Sequence, residues 1–117
     1  MGHAIESYFL VNSHKKSLLH GEAIAIGMIL EAYLSSRMTG LRIKTTKVIK
    51  SVFLSIFPRI QFKEEDINSI MALLKYDKKN SHGKVNFVLL EAIGKPIIDI
   101  EVGEENISAA FDFYKAD

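Results

Sequence analysis

A chain of 117 residues is long enough to bury one genuine core and too short for two full domains. Its 48% hydrophobic and 25% charged residues are those of an ordinary globular protein. Fifteen basic against 14 acidic residues leave a formal charge of +1, so nothing global points to nucleic acid or a membrane surface as partner, and the absence of cysteine excludes disulfide scaffolds and thiolate metal sites. No apolar run reaches the ~18–20 uncharged residues of a spanning helix, because Glu22 and Glu31 interrupt the best candidate. The start "MGHAIESYF" lacks the basic residues and apolar block of a signal peptide. The expectation is a soluble cytoplasmic domain with no membrane or nucleic-acid partner.

Helices dominate the pattern. Ala4, Ile5, Tyr8 and Phe9 recur at helical spacing and predict a short amphipathic helix over 3–10. The polar "VNSHKKS" at 11–17 reads as a loop. Residues 20–39 form the longest predicted helix, stopped at Thr39-Gly40 by a glycine cap. Thr45 or Thr46 can cap a third helix running to Phe57, where Pro58 ends it. "KEEDINSIMALLKYD" predicts a fourth, with acids in the first turn where the helix dipole favours them. Val85, Phe87, Val88, Ile97, Ile98 and Ile100 are β-formers, and the turn signal Gly94-Lys95-Pro96 joins them into a small hairpin. Gly103-Glu104-Glu105 opens a last helix through Tyr114. The fold class is therefore mainly α with one β-hairpin.

Two stretches depart from plain core-and-surface patterning. In the long helix, Ala23, Ala25 and Gly27 thin one side, and a mid-helix glycine costs ~1 kcal/mol relative to alanine, which a close helix–helix approach would offset. Ile24, Ile26, Met28, Ile29 and Leu30 surround that side and predict burial on most faces. His20 stands at the mouth of this helix, followed at once by Gly21 and Glu22. A desolvated, rigidly held neutral imidazole is a good zinc ligand, while the residues alone equally allow a half-buried cap histidine. The second stretch is "KYDKKNSHGK", residues 75–84, read as a loop rich in Lys and His. Clustered lysines clamp phosphate by charge and donated hydrogen bonds. A solvated basic turn is the other reading, and Asp77 beside Lys78 and Lys79 weakens the bare charge argument.

Taken in order, "GHAIES", "LLHGEAIAIGM" and "YDKKNSHGKVNFVLLEAIGKP" resemble the C-terminal domain of the 3-dehydroquinate synthases, shikimate-pathway lyases of the sugar-phosphate cyclase superfamily. The resemblance covers essentially the whole chain. It implies the helical C-terminal domain of that fold, spanning 1–117, with the family's N-terminal NAD-binding domain absent from these residues. It also implies an enzyme that uses NAD and a divalent metal, zinc or cobalt, to convert 3-deoxy-D-arabino-heptulosonate 7-phosphate into 3-dehydroquinate and phosphate. By resemblance, His20 is one of three metal ligands, and Glu22 orients the metal site from behind. His3 is an acid–base partner near the substrate phosphate, and Lys78, with Lys79 as second candidate, contacts that phosphate. Gly21 would let the backbone come close at the helix start.

The family's second ligand histidine, its ligand glutamate and its NAD domain have no counterpart here, so neither zinc nor NAD is expected to bind this chain tightly, and the chain alone is expected to be inactive. The implied partners are a small sugar phosphate, the missing N-terminal domain and a second copy of the chain in a homo-oligomer. His14 is read as solvent-exposed, and His82 is left without a role. The alternatives are a stand-alone helical interaction module, or a relative among other sugar-phosphate cyclases and metal-dependent polyol dehydrogenases.

Overall fold

The computed structural model describes Ile5, Tyr8, residues 20–78 and residues 84–116. Helix α1 spans His20–Met38, α2 Ile43–Ile56 and α3 Glu64–Lys78; strands β1 (Lys84–Ala92) and β2 (Lys95–Gly103) follow, and α4 covers Glu104–Lys115. Ile5 and Tyr8 are also helical. None of the described helices is long and apolar enough to cross a membrane.

The expected glycine stop of α1 is present. Gly40 takes φ +90, a left-handed conformation that glycine alone adopts at no steric cost. The N–H groups of Thr39 and Leu41 then both donate to the Ser35 carbonyl, at 3.0 and 3.2 Å. Ala23, Ala25 and Gly27 are all buried, and α1 packs against α2, α4 and β1. One face departs from the expectation of near-complete burial: Ile24 and Met28, one turn apart, are 38% and 47% exposed.

Helix α2 starts two residues before the expected threonine cap. Its N-cap is Arg42, which makes no side-chain cap bond. Thr46 lies inside the helix and is fully buried; its hydroxyl donates to the carbonyl of Ala32 on α1 at 3.2 Å. A buried hydroxyl must find an acceptor, and a carbonyl on the neighbouring helix provides one, so packing rather than capping fixes this residue. Pro58, which cannot continue a helix, follows the α2 C-cap Phe57, whose N–H donates to Phe53. The outward face of α2 carries Val48, Val52 and Ile56, all more than half exposed.

Helix α3 begins with the expected acids, Glu64, Glu65 and Asp66. It runs through Lys78, one residue past the predicted end at Asp77 and four into the stretch also read as a loop. Lysine is a good helix former, and its charge suits the negative end of a helix dipole, so the helix persists into that stretch.

The hairpin forms as expected, with antiparallel register Phe87↔Ile100 and Ala92↔Lys95. Its turn is Ile93-Gly94, with Gly94 at φ +81. Pro96 lies opposite Leu90, and it costs no ladder bond there because the polar groups of Leu90 turn towards α1. The Leu90 N–H donates to the Ser35 hydroxyl at 2.9 Å, and the Thr39 hydroxyl donates to the Leu90 carbonyl at 2.5 Å. Helix α4 buries Ile107, Ala110, Phe111 and Tyr114, the spacing of one helical face. They join α1, α3, Phe87, Leu89 and Val102 in one core.

Ser35→Ala is expected to strand the Leu90 N–H and lower stability by about 1–3 kcal/mol, read as a shift in the urea midpoint. An unchanged midpoint would show that the stitch between α1 and β1 contributes nothing.

Candidate functional site

The Gly21-Glu22 start of α1 lies against the connection that leaves α2. The Phe57 ring is 3.7 Å from where a Cβ on Gly21 would stand. That is ordinary van der Waals contact, and Gly21 is exposed. Among the described residues a Cβ at this glycine would meet only that ordinary contact.

Three residues past Phe57, the Ile60 N–H donates to the Tyr114 hydroxyl at 2.8 Å, which ties the same connection to α4. Tyr114 is fully buried, and its ring meets Phe62 edge-on at 5.7 Å. Burial holds its hydroxyl above the ordinary value of 10.0, because the phenolate would lose its hydration. The Ile60 N–H and the Arg59 charge oppose that shift, while the Glu22 charge adds to it. Glu22, expected behind a metal ligand, thus acts electrostatically on Tyr114; it is half-buried.

At the same C-terminal end of α4, Lys50 donates to the carbonyls of Phe113 and Ala116, the latter at 2.7 Å, and Arg59 reaches Ala116 at 3.2 Å. The Lys50 ammonium also sits 4.4 Å from the centre of the Phe113 ring. Two cations therefore satisfy the carbonyls that a helix C-terminus leaves open.

His20 is the first residue of α1 and Lys78 the last of α3. Both stand at helix ends. His3, His14, Lys79 and His82 lie outside the described residues. Of the expected site residues, only Glu22 has a described side-chain environment. Among the described residues no group of three His, Cys, Asp or Glu side chains could hold a metal ion.

Sequence reasoning passed over Tyr8, Asp66 and Tyr114. Asp66 looked like one more acid in a first turn, yet it is fully buried and accepts the Tyr8 hydroxyl at 2.5 Å. Its Oδ2 accepts the Lys63 N–H at 2.9 Å, the reciprocal bond of a capping box. Residues 63–66 read K-E-E-D, without the Ser or Thr that opens a capping box, so no local signal singled it out.

The profile of the family described as 3-dehydroquinate synthase C-terminal matches residues 1–80, which include both histidine motifs and the D-K-K run. The chain belongs to that family. It is 32% identical to the 3-dehydroquinate synthase of Parabacteroides distasonis over 98% of its own length and 32% of that protein. It is 38% identical to the 3-dehydroquinate synthase of Picrophilus torridus over 90% of its length and 29% of that protein. The chain thus spans about a third of the length of the curated relatives it matches. A solved 2-deoxy-scyllo-inosose synthase, complexed with carbaglucose-6-phosphate, NAD+ and Co2+, aligns with a TM-score of 0.67 at 25% identity; the alignment covers 92% of this chain and 32% of that one. The mainly helical fold with one hairpin is therefore that of the C-terminal part of the 3-dehydroquinate synthase family.

The raised Tyr114 value has a stability consequence of defined sign. A tyrosine that holds its proton more tightly when folded contributes stability that is complete below its ordinary value of 10.0 and is lost as pH climbs through the higher folded value. Tyr114→Phe should therefore flatten the alkaline fall in stability relative to wild type, measured as urea midpoints between about pH 8 and about pH 11. Parallel pH curves for the two proteins would refute the assignment.

Proposed function

We propose that these residues are the substrate- and metal-facing part of a 3-dehydroquinate synthase. The whole enzyme would convert 3-deoxy-D-arabino-heptulosonate 7-phosphate into 3-dehydroquinate and phosphate in the cytoplasm, in the shikimate route to aromatic amino acids. The observation that carries this reading is the family match over residues 1–80, which spans "GHAIE", "LHGEA" and "DKK" in a single run. The nicotinamide cofactor would be held by an N-terminal domain outside these 117 residues.

His20 would give one metal ligand from the start of α1, with the remaining ligands supplied from elsewhere. A divalent metal, zinc or cobalt, would supply polarisation of the substrate alcohol where bound. The other roles belong to this chain's own groups. Lys78 and Lys79 would hold the phosphate through charge-assisted hydrogen bonds while its C–O bond breaks. His3 would move the proton that the elimination requires at the adjacent carbon. Glu22 would steady the start of α1 beneath His20, since carboxylates close to ligating histidines commonly fix their orientation. The solved relative with carbaglucose-6-phosphate bound supports a second reading, a sugar-phosphate cyclase acting on another phosphorylated sugar.

The isolated chain is expected to release no phosphate from the heptulosonate phosphate above background, with NAD and zinc added; catalytic release would sink the fragment reading. It should bind inorganic phosphate weakly and less so at higher salt. That binding should fall when Lys78 and Lys79 are both changed to Ala, followed by phosphorus NMR; full retention would remove the lysines from the site. The exposed Val48, Val52 and Ile56 are expected to drive self-association, because contiguous apolar surface favours partners. Light scattering over a dilution series checks this, and a clean monomer throughout would count against it.

A further inference from the structure

Charge is segregated along this chain. Between Glu31 and Glu64 stand Arg37, Arg42, Lys44, Lys47, Lys50, Arg59 and Lys63 and no acid, although the formal charge of the whole is +1. The fold gathers three of these cations around one groove of about 680 Å³, between α2 and the C-terminal end of α4. Lys47, Lys50 and Arg59 line it together with Ser51 and Ser55, and no Asp or Glu is among its lining residues. Leu54 and Phe113, both half-buried, give it an apolar wall. Lys47, Ser51 and Ser55 follow one another at four-residue spacing and so share one side of α2.

Part of this charge is already held in place. Lys50 reaches from α2 to the carbonyls of Phe113 and Ala116 and lies over the Phe113 ring, and Arg59 donates to the Ala116 carbonyl. A carbonyl fixes a cation without bringing a full opposite charge, so these contacts orient positive charge at the groove. Ordering the side chains beforehand lowers what a ligand must later overcome. Ser55 already donates to the Val52 carbonyl at 2.6 Å, which leaves Ser51 as the hydroxyl donor of the stripe. Several cations beside a hydroxyl suit a phosphate, with its charge of about −1.5 to −2 at neutral pH, better than a single carboxylate. The volume lies in the range of about 300–1,000 Å³ that takes whole small molecules, far beyond the needs of a bare phosphate.

We propose that this groove binds a phosphate monoester with an apolar organic part: Lys47, Arg59 and the Ser51 hydroxyl take the phosphate, and Leu54 and Phe113 take the body. Lys50 contributes its charge from the position that the end of α4 gives it. The site shares no residue with the Lys78 and Lys79 reading and does not depend on it.

The test follows the amide NMR signals of the full 117-residue chain during separate titrations with phenyl phosphate and inorganic phosphate at low ionic strength. Phenyl phosphate is expected to shift the amides of Ser51, Ser55 and Ala116, and to do so at several-fold lower concentration than inorganic phosphate. Lys47→Glu should raise the concentration needed by about ten-fold, the loss of one charge-assisted hydrogen bond. Lys44→Glu makes the same change of charge on the same helix but outside the groove, and should alter it by less than about two-fold. Both lysines are exposed, so neither variant is expected to unfold the chain. Changing Lys78 and Lys79 to Ala should leave these shifts in place. Equal weakening by Lys44→Glu and Lys47→Glu would reduce the site to a general positive field and overturn the proposal. Equal affinity for the two phosphates, or no shift at Ser51 and Ala116, would overturn it as well.

Discussion

Because Ala23, Ala25 and Gly27 carry so little side chain, α1 can be approached from several sides at once, and α2, α4 and β1 all close on it. The other placements follow from that burial. Ile26, Ile29, Leu30 and Leu34 reach into the core beyond the small residues, all nearly inaccessible to water. Each such aliphatic contributes about 1.5–3 kcal/mol when fully buried. Bulk at the three small positions would push the neighbouring elements outward and open voids around those aliphatics, which is how close-packed interiors lose stability. The Thr46 hydroxyl on the Ala32 carbonyl marks how near α2 stands to α1.

Where elements end, distant side chains complete them. Ser35, in the last turn of α1, and Thr39, just past its end, satisfy both backbone groups of Leu90 on β1. Lys50 and Arg59, from α2 and the connection after it, hold the last carbonyls of α4. Asp66 serves the N-terminus of α3 and the Tyr8 hydroxyl together. In the first two cases a polar group that a helix or strand leaves open is matched by a residue far away in sequence. Such bonds are individually modest, but leaving one partner buried and unmatched costs more than the bond itself contributes. They therefore fix geometry more than they add stability.

That division of labour bears on the site. Of the proposed functional residues, His20 opens α1 and Lys78 closes α3. The Phe57–Ile60 connection contacts the start of α1 through Gly21 and the end of α4 through Tyr114, so two helix termini are referred to one short segment.

Most of the element plan was legible in the residues themselves. Glycine at 40 and 94, proline at 58 and the acids at 64–66 act locally, through backbone conformation and the helix dipole, and they work without knowledge of the rest of the fold. The order of the two histidine motifs and the D-K-K run was legible too, because family resemblance is carried by local strings. Other features took the tertiary structure to decide. Thr46 is a bridge and not a cap because α1 places a carbonyl beside it. Ile24 and Met28 are exposed because no described element covers that face. Asp66 is buried because Tyr8 arrives from 58 positions away. Local sequence can state what a side chain is able to do; which partner it meets depends on contacts between segments that lie far apart along the chain, and those exist only once the chain has packed.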